Sequence, residues 1–228
     1  MISHKHHTIF VHIPKVAGQS IEMLFLKDQG LDWSSREALL LRPKLKGEQG
    51  PERLAHLTAR QYVDLGYTDQ KTFEQYFTFA FVRNPYKRLL SFYHYLGYAS
   101  VISVDTFIDE VLPKKLQSAD FFFLPQYDYL YDQGKLLVDF VGKLENIEQD
   151  IKTIYREAGI QNSQLPHVNK SGKGQKRGLA ALIKQPGLIR HFRPGNLMGR
   201  QTIALNPSQK DRIFRHYQND FEAFGYEK

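Results

Sequence analysis

Apolar and polar positions along the chain spell out one grammar three times. Thr8-Ile-Phe-Val-His-Ile13 is a β-branched and apolar run ended by Pro14, and helical spacing begins near Gly18 with Ile21, Leu24 and Phe25 on one face. Phe77-Thr-Phe-Ala-Phe-Val82 reads as a buried strand. Asn84 and Pro85 then supply an N-cap and a proline at the first helical position, and Leu89, Tyr93 and Leu96 form a stripe. A third unit joins the run Leu136 to Val141 with a helix from Glu145 to Ala158 carrying Ile147, Ile151, Ile154 and Tyr155. Between the first two units, Thr58 and Gln61 have capping-box spacing and predict a short helix over Ala59 to Leu65, with His56 just before it. Asn206-Pro207 followed by Ile213, Phe214, Tyr217 and Phe221 predicts a closing helix. Strands alternating with helices imply an α/β fold around a mostly parallel sheet.

The chain has 228 residues, 42% of them hydrophobic, which suits a single domain spanning 1–228 with a sizeable core. Lysine and arginine number 31 against 24 acidic residues, a net charge of +7 that suggests an anionic partner. Nucleic acid, nucleotide, acidic glycan and membrane surface are all compatible with it. Cysteine is absent, so disulfides, thiolate zinc sites and thiol nucleophiles drop out. There is no signal-peptide-like apolar region at the start, and no run of the roughly 18 apolar residues that would span a bilayer. A soluble, cytoplasmic protein of bacterial type is expected, unless the chain is a trimmed form of an anchored one. Residues 1–7 read as a loose tail, in which His4, His6 and His7 lack the partners of a metal site. The Lys/Gly-rich stretch 170–178 reads as a flexible basic loop.

Two strand-to-helix turns carry the candidate chemistry. Pro14-Lys15-Val16-Ala17-Gly18-Gln19-Ser20 is a glycine-containing loop opening a helix, an arrangement that aims backbone N–H groups at an anion. It is not a Walker A loop, because the lysine leads the loop instead of preceding the final hydroxyl residue, and no acidic Walker B partner is evident. The second turn opens with Arg83, whose guanidinium suits a bidentate grip on a phosphate, and Ser91 lies further along its helix. Two such turns suit a nucleoside with phosphates at both ends.

With these residues in place the chain resembles the sulfotransferases that use 3′-phosphoadenosine 5′-phosphosulfate (PAPS), in particular the carbohydrate-acting, family 2-like group. Pro14, Lys15, Gly18 and Ser20 match that family's 5′-phosphosulfate loop, and Arg83, Pro85, Arg88, Ser91 and Tyr93 match its 3′-phosphate motif. Further similar stretches are His56-Leu-Thr, Pro125-Gln-Tyr-Asp, Phe140 to Asn146, His167-Val-Asn-Lys-Ser171 and Asp220 to Tyr226, so the likeness runs from Thr8 to Tyr226. It implies a P-loop-type three-layer sandwich, a central mainly parallel sheet flanked by helices, with PAPS as co-substrate, PAP as product and no metal requirement. It also implies Lys15 and His56 as catalytic residues. The loop 14–20, Arg83, Ser91, Asn169 and Ser171 would bind the nucleotide, with the basic stretch after Ser171 as a lid.

Sulfuryl transfer develops negative charge on the departing 5′-phosphate oxygen, which calls for a cation and backbone donors there, the roles of Lys15 and the loop amides. The acceptor hydroxyl must lose a proton, and a histidine suits that work. His56 is the first choice among nine histidines, with His94 and His167 as rivals. The expected acceptor is a carbohydrate or related hydroxyl compound, possibly acidic. A nucleotide kinase is the alternative enzyme, though it should show a glycine-lysine-hydroxyl loop and magnesium-binding acids. A nucleic-acid-binding module would want clustered basic and aromatic residues, whereas the charge here is dispersed. The aromatic stretch Phe121 to Tyr131, including Gln126, Tyr127 and Tyr129, reads equally as packing or as an acceptor wall.

Overall fold

A computed structural model describes residues 1–161, 164–166, 174–195 and 203–228. In chain order its elements begin with β1 (Ile2–Ser3), β2 (Thr8–Val11), α1 (Gly18–Asp28), α2 (Ala59–Asp64), α3 (Gln70–Gln75) and β3 (Phe77–Val82). There follow α4 (Pro85–Tyr95), α5 (Val104–Thr106), α6 (Leu112–Gln117), α7 (Gln126–Leu130), β4 (Tyr131–Asp132) and β5 (Lys135–Leu136). The series closes with β6 (Phe140–Lys143), α8 (Ile147–Glu157), α9 (Gly174–Lys184) and α10 (Pro207–Phe224). Two compact units result: Met1–Arg83 with Gln126–Val168, and Asn84–Pro125 with Asn169–Lys228.

The first unit holds a four-stranded sheet in the order β1-β2-β3-β6. β2 pairs with β3 and β3 with β6 in parallel, while β1 adds an antiparallel edge. Parallel strands covered on both faces read as unbroken apolar runs, and Ile9, Phe10 and Val11 are indeed wholly buried. Phe10 stacks on Phe79 at 4.9 Å between ring centres, and Phe25 of α1 lies 6.0 Å from Phe79, so α1 closes over the middle of the sheet. A Cβ at Gly142 would stand 2.6 Å from the Phe81 ring, so β6 reaches its place beside β3 only as glycine there.

The third predicted strand is divided. Lys135–Leu136 pairs with Tyr131–Asp132 in a separate hairpin, and the sheet strand is Phe140–Lys143. Asp139 makes the division. Its carboxylate accepts from the N–H and hydroxyl of Thr78 at 2.8 and 2.7 Å, and its own N–H donates to that hydroxyl at 3.0 Å. The polar residue thus anchors the start of β6 to β3. In α8 the stripe holds, with Ile151 and Ile154 buried, and Asp150 accepts the Lys143 N–H at 2.7 Å.

Residues 1–7 are not a loose tail. Ile2 and Ser3 pair with Ile9 and Thr8, Met1 is wholly buried, and the His6 ring spans Ser3 Oγ at 2.6 Å and Asp28 Oδ2 at 2.8 Å. An apolar edge strand on β2, tied by His6 to the end of α1, orders a segment whose polarity alone reads as tail.

The second unit is helical. Leu89, Phe92 and Tyr93 of α4 pack with Phe107, Ile213 and Phe221 in one buried cluster. Both predicted caps are present: Asn84 accepts from Lys87 N–H, and Asn206 forms a reciprocal capping box with Gln209. The basic stretch 170–178 departs from the flexible-loop expectation within its described part, because Gly174 to Gly178 open α9. Arg177 lies 4.4 Å over the Tyr95 ring and donates to the Tyr95 carbonyl at 3.0 Å, and Gly178 is buried where a Cβ would meet the Gly97 carbonyl at 2.4 Å. Cation–π contact and a close backbone approach order what a count of lysines and glycines reads as loop. Residues 170–173 lie outside the described residues. Among those described, no helix is long and apolar enough to cross a membrane.

Candidate active site

The loop from Pro14 to Ser20 joins β2 to α1 through two residues in the left-handed region, Lys15 at φ 72° and Ala17 at φ 64°. Neither is glycine, so each costs about 1–2 kcal/mol of backbone strain, the kind of strain that concentrates at ligand-binding turns. Left-handed residues separated by one of ordinary hand turn successive N–H groups to one side of the chain, which is how a nest for an anion is built. No side chain caps the start of α1, and no acidic residue stands in its first turn. Ser20 N–H is taken up by the Ala17 carbonyl at 2.9 Å. Pro14 and Val16 are buried and anchor the loop, Lys15, Ala17 and Ser20 are half-buried, and Gln19 is exposed.

Beneath the loop stands His12, which the sequence reading passed over. A Cβ at Gly18 would fall 1.9 Å from His12 Nε2, so the loop lies directly on the imidazole and only glycine fits. His12 Nδ1 is 2.5 Å from Glu22 Oε1 on α1, and both residues are buried. The other flank of the ring stacks on Phe10 with centres 5.4 Å apart. Gly18→Ala is therefore expected to destabilise the protein by about 1–3 kcal/mol through overpacking against His12. An unchanged thermal unfolding midpoint would show that the ring moves aside freely.

His56 ends a short 3-10 turn, Leu54–His56, just before the reciprocal Thr58/Gln61 capping box that opens α2. Tyr62 of α2 donates to the Phe10 carbonyl at 3.1 Å and thereby fastens this segment to β2. His56 is 7% exposed, its ring centre lies 4.5 Å from that of His12, and its Nδ1 is 2.8 Å from the His12 carbonyl. A carbonyl only accepts, so Nδ1 carries the proton and the lone pair of the neutral ring sits on Nε2. Burial first, then the charges of His12 and Arg53, push the His56 pKa well below its ordinary value of 6.5, with the hydrogen bond to the His12 carbonyl opposing. The ring is thus held neutral at neutral pH, the state a proton acceptor needs.

Arg83 follows β3, and its Nη1 donates to the Lys15 carbonyl at 3.3 Å, which brings the two predicted turns together. Its backbone is clasped by Gln126 of α7. Arg83 N–H donates to Gln126 Oε1 and Gln126 Nε2 donates to Arg83 O, both at 2.8 Å, with the glutamine wholly buried. Gln126 is thereby accounted for as a support of Arg83. Two other residues of the second motif are structural: Arg88 donates to the Leu124 and Phe122 carbonyls at 3.0 and 3.2 Å, and Tyr93 to the Ile102 carbonyl at 2.6 Å. Ser91, half-buried, and His94, exposed, stand on α4 in the helical unit. His167, Asn169 and Ser171 lie outside the described residues.

No motif singles out His12 or Glu22, and Gln126, read from the sequence as packing or acceptor wall, supports Arg83 instead. Glu22 interrupts an otherwise apolar face between Ile21 and Leu24, and His12 interrupts an apolar strand. Each is a polar residue at a core position, which was the available signal. Among the described residues no cluster of three or more histidine, aspartate or glutamate side chains is placed to hold a metal ion.

The strained turn at the end of β2, the arginine at the end of β3 and the buried His56 thus lie within one unit of the mostly parallel sheet. The match to known proteins is specific: the model of the sulfotransferase family, family 2, covers residues 1–227, and the chain belongs to that family. An uncharacterized protein of Archaeoglobus fulgidus is 29% identical over 108 residues, which are 47% of this chain and 88% of that protein. No solved structure matches the chain. Family membership supports sulfuryl transfer to a hydroxyl-bearing acceptor as the general activity.

Proposed function

We propose that this protein is a PAPS-dependent O-sulfotransferase acting on a carbohydrate or a related hydroxyl compound, built as a P-loop-type sandwich. The observation that carries the reading is the strained Lys15–Ala17 turn at the head of α1, with the guanidinium of Arg83 bonded to its backbone. The residues fit the co-substrate: an uncapped helix start and a lysine suit the 5′-phosphosulfate, and an arginine at the neighbouring strand end suits the 3′-phosphate. PAPS supplies the sulfuryl group, whose bond to the 5′-phosphate oxygen breaks as the acceptor oxygen bonds to sulfur. Lys15 and the loop amides stabilise the charge gathering on that phosphate oxygen. His56 takes the acceptor's proton at Nε2 and gives it up to water after turnover.

Calorimetry with PAP and with ATP, each in EDTA, tests this directly. PAP is expected to bind and ATP to bind far more weakly, and radiolabelled sulfate should pass from PAPS to hydroxyls of a glycan panel in the same buffer. Transfer of phosphate from ATP to those acceptors would overturn the reading in favour of a kinase.

A further inference from the structure

We propose that Glu22, acting through His12, is a positioning residue that supplies the counter-charge for the proton His56 acquires. The inference rests on the reading of His56 as the base. A proton arriving at His56 Nε2 creates a cation at a 7% exposed site, and a buried cation without a compensating charge is costly. The carboxylate of Glu22 is buried in the same cluster, and the His12 ring lies between it and His56: Nδ1 is 2.5 Å from Glu22 Oε1, and the two ring centres are 4.5 Å apart. The His12 carbonyl holds His56 by its Nδ1–H at 2.8 Å, so one residue fixes both the orientation of the base and its link to the acid.

The charges decide how the cluster works. Glu22 is the acidic member of the Glu22–His12–His56 group, and it bonds to the His12 ring that packs against His56. Positive charge on His12 opposes proton uptake by His56. The other charged groups facing the cluster are Arg53, beside His56, and the Met1 amino group. Both lower the His56 pKa, although burial pulls the amino group itself down to about 5, and the acid buried in the cluster is Glu22. The Tyr62 hydroxyl also faces Glu22, and burial pushes its pKa upward, so it stays neutral. Gly18 gives the pair a second function. Because the loop at Gly18 rests on the His12 ring, the ring bonded to Glu22 also supports that loop.

Histidine 15N and 13C NMR on the whole protein tests the proposal. In Glu22→Gln, which keeps an acceptor for Nδ1–H and removes the charge, the His56 titration midpoint should fall by about half a pH unit or more. Glu22→Asp should restore most of that shift. Equal midpoints in wild type and Glu22→Gln, or a His56 that stays neutral in both until the protein unfolds, would make Glu22 a purely structural partner. The titration does not use sulfate transfer. A His56→Ala protein with full turnover would therefore remove the base assignment and leave the charge coupling as measured.

Discussion

His56→Ala is expected to lower turnover by about 10²-fold or more while PAP affinity stays within a factor of about two. The separation follows from where the two functions reside. The anion loop is built from the backbone of residues 14–18 and the uncapped start of α1, and the imidazole of His56 belongs to another segment, held to β2 by its own hydrogen bond. Removing the ring leaves the loop resting on His12. The pH profile adds a second check. Burial and the neighbouring cationic groups lower the His56 pKa, so the base remains neutral below the 6.5 of an ordinary histidine, and the acid limb of kcat/KM should fall under that value. The same shift carries a stability consequence of defined sign. The folded state holds His56 neutral while the unfolded chain takes up a proton near pH 6.5, so stability is lost as pH falls below 6.5 toward the lowered folded value. If His56→Ala keeps near wild-type kcat and His94→Ala or His167→Ala loses it, the base is that other residue.

Arg83→Ala is expected to weaken PAP binding by about 1.5–3 kcal/mol, or roughly 10- to 150-fold, the value of a charge-assisted bidentate contact. Lys15→Ala should weaken it as well, through the phosphate at the other end of the ligand. Arg83 is prepared for this work by its surroundings. Its main chain is clasped on both sides by the buried amide of Gln126, so the side chain leaves a fixed backbone and loses less freedom on binding. The decisive comparison is with adenosine 5′-phosphosulfate, which lacks the 3′-phosphate. Wild-type protein should prefer PAP strongly, and Arg83→Ala should lose most of that preference. Equal affinity of the wild type for the two ligands would remove the 3′-phosphate role from Arg83, and from Ser91 with it.

Local chemistry alone determined a large part of this protein. Asn84-Pro85, Asn206-Pro207 and the Thr58/Gln61 pair start helices because a short polar side chain satisfies N–H groups of its own first turn, an interaction complete within a few residues. Thr8–Val11 and Phe77–Val82 are strands of a parallel sheet for an equally direct reason, since strands covered on both faces need unbroken apolar runs. The loop that opens α1 was legible from Pro14, Lys15, Gly18 and Ser20.

Tertiary structure decided the rest, wherever the deciding contact joins residues far apart in the chain. Asp139 divides an apolar run because Thr78, on another strand, receives it. Residues 1–7 are ordered because Ile2 finds Ile9 and His6 finds Asp28, and Gly174 to Gly178 open a helix because Arg177 finds Tyr95. The candidate site shows the same division. Lys15 and Arg83 stand out by type and spacing and His56 by resemblance, but His12, Glu22 and Gln126 look like misplaced polar residues until folding brings each to its partner. A buried polar group is tolerable only with that partner in place, and the partner's identity is set by the meeting of β2, α1, α7 and the turn before α2, not by any single segment.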